Sequence, residues 1–212
     1  VRRQRQMCIR DRIKDSSTQG ALLSFAGVPN GERDDVVRIR QGYDPRDRPW
    51  FKLALDTMVT SWTDIYASTT VPGAVLMTAV KPVITETGKI VGVVGADVSL
   101  RGADTILRQS VDGVLGTAFI IDSDGLLVAS STGNRAVRVD TQGRLIRIEA
   151  AGSGDPAVRD AALALVDRYG GFDAITTPRR FRIESEGAPY LIDVSPFESS
   201  RGLEWATVAV VD

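Results

Sequence analysis

Between Tyr43 and Phe51 the chain places two prolines, three aromatics, two arginines and two aspartates in nine residues. Proline pins its own φ and pushes the preceding residue out of the helical region. Pro45 and Pro49 therefore hold Asp44–Arg48 in a stiff turn. Pro49 suits the first turn of a helix, and Trp50-Phe51-Lys52-Leu53-Ala54-Leu55 continues it to about Thr57-Met58. A stiff loop that carries Tyr43, Arg48 and Trp50 beside a helix start offers phenol, guanidinium and indole donors, a set suited to a carboxylate. The same residues also suit a plug at the edge of a core, with Arg46 and Arg48 in solvent.

Strand patterns flank this loop. Residues 21–28 read as a strand, Pro29-Asn30-Gly31 as a turn and Val36–Arg40 as the return. Beyond the helix, Ser61–Tyr66 reads as extended, with Trp62 and Tyr66 as wall residues. Ala74–Ile84 is rich in β-formers, and Pro82 marks an edge or a strand end. Glu86–Lys89 turns the chain into Ile90–Val98, where Gly92 and Gly95 point to a bulge or a close backbone approach. Ala103, Ile106, Leu107 and Val111 recur at helical spacing before Gly113, which marks a boundary.

The pattern then restarts. Thr117–Ile121 pairs with Leu126–Ala129 across Asp122-Ser123-Asp124-Gly125, and Ala151–Gly154 reads as a flexible connector. Asp155 as N-cap, Pro156 at the first helical position and Gly170 as stop define a helix. Three strands, 181–184, 190–194 and 205–210, complete a second sheet, with Phe119 and Trp205 expected in its core. The class is α+β: two antiparallel sheets with helices against them, divided into residues 16–112 and 113–212.

Composition narrows the chemistry. The chain has no histidine and one cysteine, Cys8. No His- or Cys-ligated zinc site, Ser-His-Asp triad, Cys-His pair or intrachain disulfide is expected, and no cofactor is implied. Asp122-x-Asp124-Gly125 lacks the later ligands of a calcium loop. No sequence pattern pairs Asp64, Glu86, Asp97 and Asp122 for glycosidase-like work. Six of the 26 basic residues but one of the 27 acidic ones lie in residues 1–14, which leaves −6 on the rest. An acidic body speaks against nucleic acid as a partner. No apolar run approaches the roughly 18–20 residues that cross a bilayer. Gln4–Arg12 resembles translated adapter sequence, and a non-native or disordered extension is expected over residues 1–15.

Asp97 stands in an otherwise apolar strand, on the face of Val91, Val93 and Gly95. An acid there either faces solvent or is buried with a partner, since an unpaired buried carboxylate is costly. The residue pattern leaves both open.

Tyr43-Asp44-Pro45-Arg46-x-Arg48-Pro49-Trp50-Phe51 resembles the signature of the double Cache (dCache) family of extracytoplasmic sensor domains. Further matches are Trp62-Thr63-Asp64-Ile65-Tyr66, Leu76–Val83, Gly92–Leu100 and Gly202–Trp205. The resemblance implies two tandem PAS-like lobes, with the family's long N-terminal helix missing or truncated. It makes 16–112 the membrane-distal ligand-binding lobe with its linking helix, and 113–212 the membrane-proximal lobe. By similarity to amino-acid-binding members, Tyr43, Arg48 and Trp50 would face a ligand carboxylate, and Tyr66 and Asp97 its amino group. Phe51 keeps a ring where those members commonly have tyrosine. The implied partners are a small molecule, the membrane through flanking helices, and a second copy in a homodimer. The implied place is the periplasmic side of a chemoreceptor, histidine kinase or nucleotide cyclase. A dCache domain for an amine or carboxylate, a ligand-free spacer, and an unrecognised enzyme are the alternatives.

Overall fold

Pro49 opens the first helix, α1 (Pro49–Thr57), after a 3-10 turn at Pro45–Asp47. The computed structural model describes residues 12–13, 19, 21–27, 33–68, 74–113, 116–133, 136–142, 144–185, 187–199 and 202–211. The chain forms two compact units, Val1–Phe51 and Lys52–Asp212. The expected division at 112/113 falls inside the second unit, between two of its sheets.

In the first unit, β1 (Arg12–Ile13), β2 (Leu22–Gly27) and β3 (Arg33–Arg40) form an antiparallel sheet, with Leu23 opposite Ile39. Arg12–Ile13 are the only described residues of the expected extension 1–15, and the expected turn at 29–31 lies outside the described residues. The aspartate before Pro45 caps the 3-10 turn: Asp44 Oδ1 accepts from the Arg46 N–H at 2.9 Å and from Arg46 Nε at 3.0 Å. These hydrogen bonds, then the opposite charge, raise the Arg46 guanidinium further above its ordinary value.

The second unit begins with a four-stranded sheet. β4 (Ser61–Trp62) and β5 (Tyr66–Ala67) lie one after the other along one edge of β6 (Val75–Ile84), and β7 (Ile90–Ser99) runs along the other. Pro82 sits past the residues paired with β4, where among the described residues β7 is the one neighbour, as a residue without an N–H requires. A one-residue irregularity falls at Val91, beside Gly92: Val83 pairs with Gly92 and Ile84 with Ile90. Gly92 has open space around it, so of the two readings of that glycine the bulge holds and the close approach does not.

Helix α2 (Leu100–Ser110) follows directly, and Gly113 beyond it takes the left-handed φ of +79°. Its Leu107 packs with Ala118 and Ala129. Its Asp104 carboxylate accepts the Ser130 N–H at 3.0 Å. These contacts fasten α2 to the next sheet, which has the order β12 (Arg179–Ser185), β13 (Ala188–Ser199), β14 (Leu203–Val211), β8 (Gly116–Asp122), β9 (Leu127–Ser130). A separate ribbon joins β10 (Val137–Val139) to β11 (Leu145–Arg147).

Helix α3 (Pro156–Tyr169) has the caps its sequence announces: Asp155 Oδ1 accepts from Val158 N at 3.1 Å, and Gly170 ends it at φ 80°. Val158, Ala161, Ala162 and Leu165 are buried with Phe119, Ile121, Ile192, Val194, Val208 and Val210 in one core. Each such large side chain, removed from water, contributes about 1.5–3 kcal/mol.

Two expectations are corrected here. Trp205 is half-buried and lies outside the core. Alternation explains this: Ala206, Val208 and Val210 take the inward positions of β14, which leaves Trp205 on the opposite face. Ala151–Gly154 is no loose connector. It runs through a 3-10 turn, Ala150–Gly152, with Ala150 and Ser153 buried.

Every described strand pair is antiparallel, and the fold is α+β. No helix among the described residues is long and apolar enough to cross a membrane.

Candidate ligand-recognition site

Thr78 is the centre of the site, although nothing in the residue pattern marked it. It lies in the middle of β6, buried, directly opposite Asp97 of β7. The Thr78 hydroxyl donates to Asp97 Oδ1 at 2.8 Å. The Tyr66 phenol oxygen lies 2.6 Å from the same hydroxyl. Asp97 is exposed and Tyr66 half-buried, so a buried threonine joins two groups that reach toward solvent.

Backbone register brings these side chains to one face. Trp62 pairs with Ala79, but Tyr66 pairs with Leu76. Continuing the first register would set Tyr66 against Val75, on the face away from Thr78. One extra residue within 63–65 turns Tyr66 onto the face of Leu76 and Thr78, because side chains alternate strictly along a strand. The irregularity at Val91 acts the same way on the other side. The Ile84–Ile90 register, carried on, would oppose Thr78 to Ala96; after the bulge Thr78 faces Asp97.

Thr63 bridges the gap between β4 and β5. Its N–H donates to the Thr78 carbonyl at 3.0 Å, and its hydroxyl oxygen accepts the Thr78 N–H at 2.9 Å. Both backbone groups of Thr78 on that side are thus satisfied where the strand pairing is interrupted, as buried backbone groups require.

Of the expected site residues, Tyr66 and Asp97 are brought together through Thr78. Tyr43, Arg48, Trp50 and Phe51 lie in the first unit. Tyr43 is half-buried, with the Arg40 guanidinium carbon 5.3 Å from its ring centroid. The Arg48 N–H donates to the Pro45 carbonyl at 3.0 Å, closing the 3-10 turn. Trp50 and Phe51 stand edge to face, with centroids 5.5 Å apart at 72°.

Two cavities of the second unit lie elsewhere. One of about 280 Å³ is lined by Trp62, Asp64, Met77, Arg147 and Glu204 among others. One of about 650 Å³ runs beside α2 past Arg101, Arg108 and Arg138. Asp122 forms the expected hairpin turn, its Oδ1 accepting from the N–H groups of Asp124 and Leu126, and its carboxylate also pairs with Arg147. Among the described residues no three acidic or cysteine side chains converge as a metal site would need.

An exposed carboxylate held by a buried hydroxyl thus lies on an antiparallel sheet of this α+β fold. Residues 25–102 match the family model described as methyl-accepting chemotaxis protein-like, first PDC sensor domain. Over those residues the chain is similar to the first PDC sensor domain of methyl-accepting chemotaxis proteins.

It is 35% identical over 127 residues to the methyl-accepting chemotaxis protein McpA of Pseudomonas putida, covering 58% of this chain and 19% of that protein. It is 31% identical over 120 residues to McpC of Bacillus subtilis, covering 55% and 18%. The chain thus spans under a fifth of the length of these relatives. Two solved domains share its fold. The ligand-binding domain of the Pseudomonas aeruginosa amino acid chemoreceptor PctC, in complex with GABA, aligns at TM-score 0.51 and 22% identity, over 84% of this chain and 66% of that one. That of the Pseudomonas fluorescens chemoreceptor CtaA, in complex with L-isoleucine, aligns at 0.50 and 20%, over 82% and 63%.

Proposed function

We propose that this chain is the extracytoplasmic ligand-binding part of a bacterial transmembrane chemoreceptor, and that its ligand is a free amino acid or a closely related small zwitterion. The observation that carries the reading is the Tyr66–Thr78–Asp97 chain, which ends in an exposed carboxylate on an otherwise apolar strand. An exposed acid held in place by a buried hydroxyl suits an ammonium group. The structures of the same fold that hold GABA and L-isoleucine concern other proteins; the amino acid reading rests on the side chains of this chain.

In this reading Asp97 and Tyr66 take the ligand ammonium. Arg48, Trp50 and Tyr43 supply donors to its carboxylate, and the Phe51 ring supplies apolar cover. Each charge-assisted hydrogen bond contributes about 1.5–3 kcal/mol net, and micromolar binding needs about 8 kcal/mol, so a few such bonds with modest side-chain burial suffice. Residues 16–112 form the ligand lobe and 113–212 the membrane-proximal lobe of a homodimeric receptor. The role is binding, with no reaction catalysed.

A thermal-shift screen of the purified protein against the proteinogenic amino acids, small amines and small carboxylates tests this. Stabilisation by one or a few amino acids, abolished in Arg48→Ala and in Asp97→Ala while both variants stay folded, is the expected result. Stabilisation by amines alone with Arg48→Ala unaffected would remove the carboxylate half, and a flat screen would remove the ligand assignment.

A further inference from the structure

The direction of the hydrogen bonds through Thr78 follows from counting protons. A carboxylate accepts and does not donate, whereas a hydroxyl has one proton to give. The Thr78 proton goes to Asp97 Oδ1 at 2.8 Å. The 2.6 Å contact between Thr78 and Tyr66 therefore needs its proton from the phenol. With that proton committed, any further hydrogen bond to the Tyr66 oxygen has it as acceptor. Asp97 likewise only accepts. Both groups that reach outward from buried Thr78 therefore present acceptors.

Rotation of the threonine hydroxyl would reverse this order only by leaving the carboxylate without its donor. The backbone allows little slack, since Thr63 engages both the N–H and the carbonyl of Thr78. Thr78 itself is 2% exposed, which keeps water from its own hydroxyl.

Resting on the amino acid reading above, we propose that Thr78 is the specificity-determining residue of the site: by fixing the proton order Tyr66 to Thr78 to Asp97, it makes this end an acceptor-only surface that selects an ammonium over a hydroxyl. It acts as a positioning residue, through Tyr66 and Asp97, without touching the ligand. An ammonium has three donors and no acceptor, so it matches such a surface fully. A ligand hydroxyl brings one donor, no charge, and lone pairs that face other lone pairs. Without the Thr78 hydroxyl the phenol proton is released to serve such a lone pair, and the discrimination falls.

The test is titration calorimetry of the full chain with the tightest amino acid of the screen and with the 2-hydroxy acid of the same side chain. The measured quantity is the ratio of the two affinities, in wild type, Thr78→Val and Thr78→Ser, with the melting midpoint of each recorded. Thr78→Val is expected to lower the amino-to-hydroxy ratio at least tenfold, and Thr78→Ser to keep it within about threefold. Thr78→Ala takes the place of the valine variant if that protein does not fold. A ratio unchanged in the hydroxyl-free variant overturns the proposal, and so does an equal loss in the serine variant, which would assign the effect to shape. Either outcome leaves the amino acid reading standing, because wild type still binds. Failure of wild type to bind any amino acid removes that reading and this proposal with it.

Discussion

Replacing Thr63 by valine isolates one hydrogen bond in the interruption between β4 and β5. Valine keeps the branched shape and removes the oxygen that accepts the Thr78 N–H at 2.9 Å. Thr63 is 7% and Thr78 2% exposed, so water cannot take over the bond. A buried donor left without a partner costs about 1–3 kcal/mol. With a urea slope of about 2 kcal/mol per molar, the unfolding midpoint should fall by about 0.5–1.5 M. Urea titration followed by far-UV circular dichroism and by tryptophan fluorescence measures it, and Thr63→Ser, which restores the acceptor, should recover most of the loss. A midpoint drop under about 0.25 M at unchanged slope, or a serine variant as unstable as the valine one, would refute the argument that this side chain stands in for missing strand pairing.

Three further outcomes follow from the geometry. Gly125→Ala should cost about 2–5 kcal/mol in a denaturation midpoint, from left-handed strain and overpacking, since φ is +77° and an added Cβ would lie 2.2 Å from Phe172 Cε2. Asp155→Ala should cost about 1 kcal/mol by losing the N-cap of α3, with Asp155→Ser losing less, as read by thermal melting. The hydrogen bond from Arg144, ahead of smaller backbone bonds, holds the Asp140 carboxyl below its ordinary value. A depressed carboxyl contributes stability above its unfolded pKa of about 3.9 and loses it as pH falls through the folded value. In Arg144→Ala the Asp140 carboxyl titration, followed by NMR, should move up, and the stability deficit of the variant should shrink toward acid.

Local punctuation made much of the fold legible. Asp155, Pro156 and Gly170 bounded α3 because caps act within a turn of the residue that supplies them. Pro49 placed the start of α1, and Asp122 with Gly125 announced the hairpin between β8 and β9. Trp205 was misplaced because β14 alternates Ala206, Val208 and Val210 inward, and a large aromatic one position out of phase goes to the opposite face whatever its hydrophobicity. The Ala151–Gly154 stretch looked loose by composition, yet Ala150 and Ser153 are small enough to be buried in a tight turn.

Of the candidate site, the end groups were marked in the sequence and the centre was hidden. Tyr66 and Asp97 stood out as a polar ring and a charge among apolar neighbours. Thr78 did not, since threonine is an ordinary strand residue. Its importance depends on which residues oppose it, and two register shifts set that: one within 63–65 and one at Val91. No composition rule places a one-residue shift in a strand. Thr63 followed by a carboxylate and an aromatic in Trp62–Tyr66 was the available signal, a side-chain acceptor where a strand breaks.

Those two shifts also determine how a site of this kind can change during evolution. Substitution at Tyr66 or Asp97 alters one contact and leaves the rest of the face in place. Deleting a single residue between Trp62 and Tyr66 would instead remove the irregularity: the three steps from Ala79 to Leu76 would match three from Trp62 to Tyr66, and Tyr66 would stay opposite Leu76. Removing Val91 would likewise join the two registers of β7 and leave Asp97 opposite Thr78. Short deletions, usually tolerated in loops and selected against in strands, are absorbed at these two places without turning the polar face over. The extra residues give the strands slack in length, while the face they present stays the same.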